Sequence, residues 1–245
     1  MSRSRITNRL EAIVPDRDTA LAIRPVTPPR VIANTPPAPM RLDRQSLADA
    51  VDLLIARDRG LERIVRAHGT PPLWARPGGF KTLVRIILEQ QVSLASAASL
   101  YRRLSTQIPG GFEPAAVLGT GEMGLRALGV TRQKSAFLCS LATHLQEGRL
   151  RLDRLAKVSD EEVTRQLTQV TGIGPWTANV YLLIVLRRPD VWPHGDLALH
   201  KALARLRGLP TLPSSDQATK MAQRWAPFRA VAARILWHGY LSEAP

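Results

Sequence analysis

From Ser46 onward apolar residues recur at the three- and four-residue steps of a helix, and no stretch of useful length alternates at the two-residue step of a strand. Leu47, Ala50, Val51, Leu54 and Ile55 share one face behind Ser46 and Asp49, which are spaced as an N-cap and its reciprocal partner. Over 80–90, Leu83, Ile86 and Ile87 form a second stripe. Ser93 is placed to cap a third helix carrying Leu94, Ala97, Ala98, Tyr101 and Leu104, with Gln91 and Val92 at the joint. A capped helix is predicted over 131–148, with Gly148 as its C′ residue, and further helices over 196–206, 215–225 and 227–238, the last stopped by Gly239. The pattern predicts an all-α fold, and no internal repeat is visible.

Before the first helix the pattern fails. Residues 1–44 carry scattered arginines and Pro15, Pro25, Pro28, Pro29, Pro36, Pro37 and Pro39, without an apolar period. This segment is expected to be a disordered basic tail, and 45–245 to be the folded domain.

Charge changes the picture more than hydropathy does. Lys and Arg number 34 against 20 Asp and Glu, giving a net charge of +14. With a sequence pI near 11.3, this points to a polyanionic partner. A basic protein kept soluble by its charge is the plainer alternative. The single cysteine, Cys139, excludes an intramolecular disulfide, an iron–sulfur cluster and a thiolate zinc site, and reads as core filler in a reducing compartment. His194 and His200 lack companions for a metal, so they are assigned to solvent or packing, and no cofactor is expected. No apolar run approaches the roughly 18 residues of a membrane span, and no secretory h-region opens the chain. A soluble, monomeric protein is expected, cytoplasmic and associated with the nucleoid if bacterial.

The most informative string is "LTQVTGIGPWTANV", 167–180. Ser159 and Glu162 are spaced as a capping box, Val158 and Val163 as a staple, and Val163, Leu167 and Val170 carry one apolar face up to Gly172. Pro175 stands where a following helix would begin. The glycines free the intervening backbone to approach a ligand, and the next helix presents N–H groups and the positive end of its dipole to that turn, a ready seat for a phosphate oxygen. Ile173 is placed to plug the core beneath it. Taken alone, the turn reads as an ordinary helix connection with glycine at C′ before it reads as a phosphate seat.

The longer string resembles the helix–hairpin–helix motif of the HhH-GPD superfamily of DNA glycosylases, named for that hairpin and a downstream Gly/Pro-rich loop bearing an aspartate. "GDLALHKAL" after "RPDVWPH" looks like that loop, "RIILEQQVSLASA" like the segment that inserts a wedge into the duplex, and "RWAPFRAVAARILWHGY" like the closing helix of the 3-methyladenine DNA glycosylase II branch. Together they cover roughly 45–240. The resemblance implies two helical subdomains with a DNA-binding cleft between them, one at 80–188 with the hairpin at 171–175, the other from 45–75 plus 190–240. It also implies damaged double-stranded DNA as partner. Some members carry an additional N-terminal β-rich domain, for which the residues before the first helix are too few and too rich in proline, so a compact form is expected.

What the resemblance implies for single residues follows. Gly172, Ile173, Gly174 and Thr177 would form the phosphate grip, with a monovalent cation on backbone carbonyls near Val170 and Gly172 and no metal held by side chains. Gln91 would be the wedge, with Gln90 able to exchange roles and Ser93 beside them; both glutamines could instead simply cap helix ends. Trp176 and Trp237 fall where pocket aromatics sit, with Tyr181 and Trp192 as lesser neighbours, although core packing is the ordinary use of such residues. Methylation at N3 or N7 leaves a purine cationic, and an indole face attracts a desolvated cation by about 2 kcal/mol. Bifunctional members place a lysine where Trp176 stands, so the resemblance implies a monofunctional N-glycosyl hydrolase. The essential aspartate maps onto Asp196, which is equally suited to be a helix N-cap. A glycosylase for another lesion and a non-catalytic DNA-binding module are the alternatives.

Overall fold

The structure, a computed structural model, describes residues 40–243 of the 245-residue chain. The expected tail over 1–44 therefore lies, as far as residue 39, outside the described residues. In chain order the helices are α1 (Arg44–Ile55), α2 (Arg59–His68), α3 (Phe80–Glu89), α4 (Leu94–Gln107), α5 (Pro114–Ala127), α6 (Arg132–Gln146), α7 (Asp160–Leu167), α8 (Pro175–Ile184), α9 (Leu197–Arg207), α10 (Ser215–Ala222) and α11 (Arg229–Ser242). Among the described residues there is no strand; the fold is all-α, as the apolar periodicity predicts. They form two compact units, 75–186 and a second made of 40–74 with 187–243.

In the unit 75–186, α3 to α8 surround a core built from the apolar stripes: Leu83, Ile86 and Ile87 of α3, Leu138 and Leu141 of α6, Val163 and Leu167 of α7, and Leu182, Leu183 and Ile184 of α8 are all buried. Ser93, Thr131 and Ser159 cap α4, α6 and α7 by accepting the amides of Ser96, Lys134 and Glu162. The capping box expected at Ser159 forms only in half, because the Glu162 carboxylate is taken by Arg165 and Gln166. α5 has no counterpart in the sequence reading. Its "PAAVLGTGEMGLRA" holds three glycines that weaken any helical pattern, and the helix is kinked at Gly121, φ +65°.

In the unit 40–74 with 187–243, α1, α2 and α9 to α11 pack around Leu47, Val51, Leu54, Leu61, Leu199, Leu203, Val231, Ile235 and Leu236. α1 begins two residues before Ser46: Asp43 is the N-cap and Ser46 its reciprocal partner. An aspartate with serine three residues on satisfies the same pair of amides as the expected arrangement, one turn earlier. Asp58 caps α2 through the amides of Gly60 and Leu61 and also holds Arg207 at 2.6 Å and the Trp225 indole at 3.0 Å. α11 is buried from Ala230 to Trp237. It encloses Arg234, whose guanidinium donates to the Leu73 and Ala230 carbonyls. Burial and the neighbouring Arg187 charge push the Arg234 pKa below its ordinary value.

Gly239 does not stop this last helix. It lies inside α11, where a Cβ would meet Ile64 Cγ2 of α2 at 2.8 Å. The glycine is there for close helix approach, a demand that its position near the end of an apolar run does not reveal. Gly239→Val should cost about 1–3 kcal/mol by overpacking this contact, read as a lowered midpoint in thermal or urea unfolding.

Candidate functional site

The hairpin is built in the unit 75–186. α7 ends at Leu167, the chain turns through 168–174, and α8 starts with Pro175 at its first position and Gly174 as N-cap, with no side chain capping it. Gly174 is exposed, and a Cβ there would touch nothing within 4 Å. The helix N-terminus is thus held clear for an external acceptor. Ile173 is buried beneath the turn at 3% exposure, as its sequence position suggests, and its amide donates to the Val170 carbonyl.

Gly172 is constrained twice. Its φ is +92°, and a Cβ there would lie 2.1 Å from the Phe137 ring of α6. No L-residue fits without displacing that ring. Three further bonds tie down the turn and the start of α8. Thr171 donates its amide to Ser140 Oγ of α6 at 3.2 Å, and Gln90, at the end of α3, donates through Nε2 to the Gly172 carbonyl at 2.9 Å and to Thr177 Oγ1 at 3.1 Å. The structure therefore brings Gln90, expected in the wedge segment, together with Gly172 and Thr177 of the expected phosphate grip.

Gln91 stands apart from them. It is exposed and adopts φ +56°, the left-handed region that costs a non-glycine residue about 1 kcal/mol or more. Ser93 next to it is the α4 N-cap. Gln90 is also the C-cap residue of α3, its amide bonded to the Ile87 carbonyl, so capping and hairpin contact coexist in one residue.

The Val170 and Gly172 carbonyls fit the donor set of a hard monovalent cation. Each oxygen accepts one protein N–H, from Ile173 and Gln90, and a carbonyl oxygen has a second lone pair. Among the described residues no group of three or more His, Cys, Asp or Glu is placed to hold a metal ion.

On α8, Trp176 is half-buried and Tyr181 is 1% exposed. Burial pushes the Tyr181 hydroxyl up to about 12.

The carboxylate lies in the other unit. Asp196 is the α9 N-cap, only 5% exposed, with Oδ1 accepting both the Leu199 amide at 2.9 Å and the Trp237 indole N–H at 3.2 Å. Helix capping and a second donor from α11 together fix its orientation. Trp237 is itself 1% exposed, and the Trp74 ring packs against it with centroids 6.1 Å apart. Trp74 lies between α2 and α3 at φ +47°, flanked by prolines and glycines; no periodic signal marks it, and the sequence reading passed over it. Trp192 joins Trp225, with centroids 5.9 Å apart, and Asp190 pairs with Arg229 of α11 through Nε at 2.8 Å. His194 approaches Thr219 Oγ1, while His200, one turn along α9 from Asp196, is buried, and desolvation lowers its pKa.

With this geometry in hand, comparison with known proteins fixes the class. The model of the HhH-GPD superfamily base excision DNA repair proteins matches residues 84–228, more than half of the chain, and the chain belongs to that superfamily. The Bacillus subtilis protein YfjP is 28% identical over 184 residues, 72% of this chain and 64% of that protein. This chain thus spans slightly less than two thirds of that relative. DNA-3-methyladenine glycosylase 1 of Schizosaccharomyces pombe is 32% identical over 164 residues, 64% of this chain and 71% of the relative. The structure of the S. pombe 3-methyladenine DNA glycosylase Mag1 in complex with abasic DNA superposes with a TM-score of 0.70 at 29% identity, covering 77% of this chain and 94% of that one.

Two expectations follow from the hairpin and its helix. Gly172→Ala should cost upwards of about 2 kcal/mol in unfolding experiments, because strain and overpacking add, while Gly174→Ala should unfold within about 0.5 kcal/mol of the parent. For Tyr181 the folded pKa lies above the unfolded value of 10.0. Its contribution is therefore fully present below pH 10 and is lost as pH rises from 10 towards about 12. Urea unfolding on either side of pH 10 should show a loss of about 2–3 kcal/mol that Tyr181→Phe removes.

Proposed function

We propose that this protein is a DNA glycosylase that turns an alkylated base out of duplex DNA and hydrolyses its N-glycosidic bond, acting on cationic lesions of the 3-methyladenine and 7-methylguanine type. The observation that carries this reading is Asp196: a nearly buried carboxylate whose Oδ1 is held by a helix amide and by the Trp237 indole. Supporting it are the superfamily, the relatives named as 3-methyladenine glycosylases, and a neighbour bound to abasic DNA, the state that base release leaves behind. The net charge of +14 suits a polyanionic substrate. No helix of the described residues is long and apolar enough to cross a membrane.

In this reading the uncapped α8 N-terminus at Gly174 receives a DNA phosphate. A monovalent cation on the Val170 and Gly172 carbonyls would add positive charge beside it. Gln91 enters the duplex as the wedge, an assignment supported by its exposure and by the commitment of the Gln90 amide to the hairpin. Trp176, half-buried at the start of α8, offers an indole face to a base that carries positive charge, while the buried Trp237 orients the Asp196 carboxylate through its indole N–H. As that base departs with the electrons of the glycosidic bond, the Asp196 carboxylate stabilises the oxocarbenium-like sugar and orients the water that adds to C1′. The water's second proton passes to the carboxylate. A leaving group that is already cationic needs little acid assistance, so one carboxylate is sufficient.

The hairpin has no lysine between 171 and 180, where a Schiff base would form in bifunctional relatives, and the enzyme is therefore monofunctional. It works as a monomer, in the cytoplasm and on the nucleoid if the source is bacterial.

The decisive experiment offers duplexes that each contain one defined lesion and measures the released base. Asp196→Asn keeps an oxygen for the Leu199 amide and the Trp237 indole but removes the charge. It should melt within about 1 kcal/mol of the parent while base release falls by about 10³-fold or more. Full base release by pure Asp196→Asn would dismiss Asp196 as the catalytic carboxylate, and an adduct trapped by borohydride would overturn the monofunctional assignment.

A further inference from the structure

Lys134 sits on α6, 9% exposed, with Nζ donating to the Leu88 carbonyl at 2.7 Å and the Gln90 carbonyl at 2.8 Å. These oxygens close α3, where the helix dipole is negative and the carbonyls have no intrahelical partner. A desolvated ammonium is costly unless it is fully engaged, so this lysine is more than a convenient cap. The Gln90 carbonyl belongs to the peptide group that leads into Gln91, and Gln91 is held at φ +56°. A non-glycine residue stays in that region only where its surroundings fix it, and the Lys134 bond is a constraint of that kind.

The same face of α6 reaches the hairpin. One turn beyond Lys134, Phe137 covers Gly172, and a further turn on Ser140 Oγ accepts the Thr171 amide. Gln90 then closes the circuit by donating to the Gly172 carbonyl. Three residues spaced by three along one helix therefore fix the α3 end and the hairpin turn against a single rigid element.

We propose that Lys134 is a positioning residue for the opening of the duplex: acting through the Gln90 peptide, it holds Gln91 in its left-handed conformation and in register with the phosphate-gripping turn. This rests on the glycosylase reading and on Gln91 as the wedge. Lys134 touches neither base nor sugar, and its effect is confined to substrates in which a paired base must be expelled.

The test compares base release from a duplex carrying one 7-methylguanine with release from the same lesion inside a short mismatched bubble, where unpairing is already complete. The duplex-to-bubble rate ratio is read, because the fraction of folded enzyme cancels from it. Lys134→Met should lower that ratio about tenfold, and Lys134→Gln, which keeps an amide N–H2 but no charge, should lower it less. Combined with Gln91→Ala, Lys134→Met should add no more than about twofold, since both act on one step. An unchanged ratio in Lys134→Met and Lys134→Gln overturns the proposal, as does a full further loss in the double variant. Wild-type protein that releases base from neither substrate would overturn the glycosylase reading, and the positioning role with it.

Discussion

A single missing Cβ at position 172 governs the geometry of the hairpin. With φ at +92° and the Phe137 ring where a side chain would begin, the turn can close onto α6 only as glycine. Once it does, Ile173 is buried, the Thr171 amide reaches Ser140, and the Gly172 carbonyl is presented to Gln90. The uncapped start of α8 stays exposed because everything behind it is occupied. A buried turn with unpaired backbone groups would be expensive, and here the side chains of α3 and α6 supply the partners.

Helix ends perform a comparable task in the other unit. Asp58 and Asp196 are both N-caps, and both accept an indole N–H as well, from Trp225 and Trp237. Their surroundings separate them. Asp58 also binds Arg207, an ion pair that neutralises the carboxylate and locks α2 to α9. Asp196 stands after Gly195 at the mouth of α9, held by N–H groups of α9 and α11 and electrostatically coupled to His200. One cap is structural and the other suits chemistry, although both are aspartates directly before a helix.

Local physics made much of this legible in the sequence. Apolar periodicity gave the helical class; Ser93, Thr131, Ser159 and Asp196 were legible as caps because a short polar side chain before an apolar run has few other uses. Pro175 after two glycines marked the start of α8 for the same reason. Charge composition set the net charge of the chain at +14. Local signals compete at two helices: the glycines of α5 weaken its helical pattern, and α1 is capped by Asp43 with Ser46 as its partner rather than by Ser46 with Asp49.

Tertiary structure decided whatever depends on a distant residue. Gly239 resembles a stop but serves the approach of Ile64. Gln90 and Gln91 are identical and adjacent, yet one is bonded to a turn more than eighty positions away while the other is left exposed in a strained conformation. Trp237 and Trp192 are equally aromatic; one meets a carboxylate and the other a second tryptophan. Lys134, Phe137 and Ser140 carry no motif, because each is defined by what faces it. A chain alone determines periodicity, caps, turn chemistry and net charge, since these are set by residues within a few positions of one another. Which glycine must be bare and which glutamine is left exposed are set only when α3, α6 and α8 are packed, and which tryptophan holds the carboxylate only when α9 and α11 are.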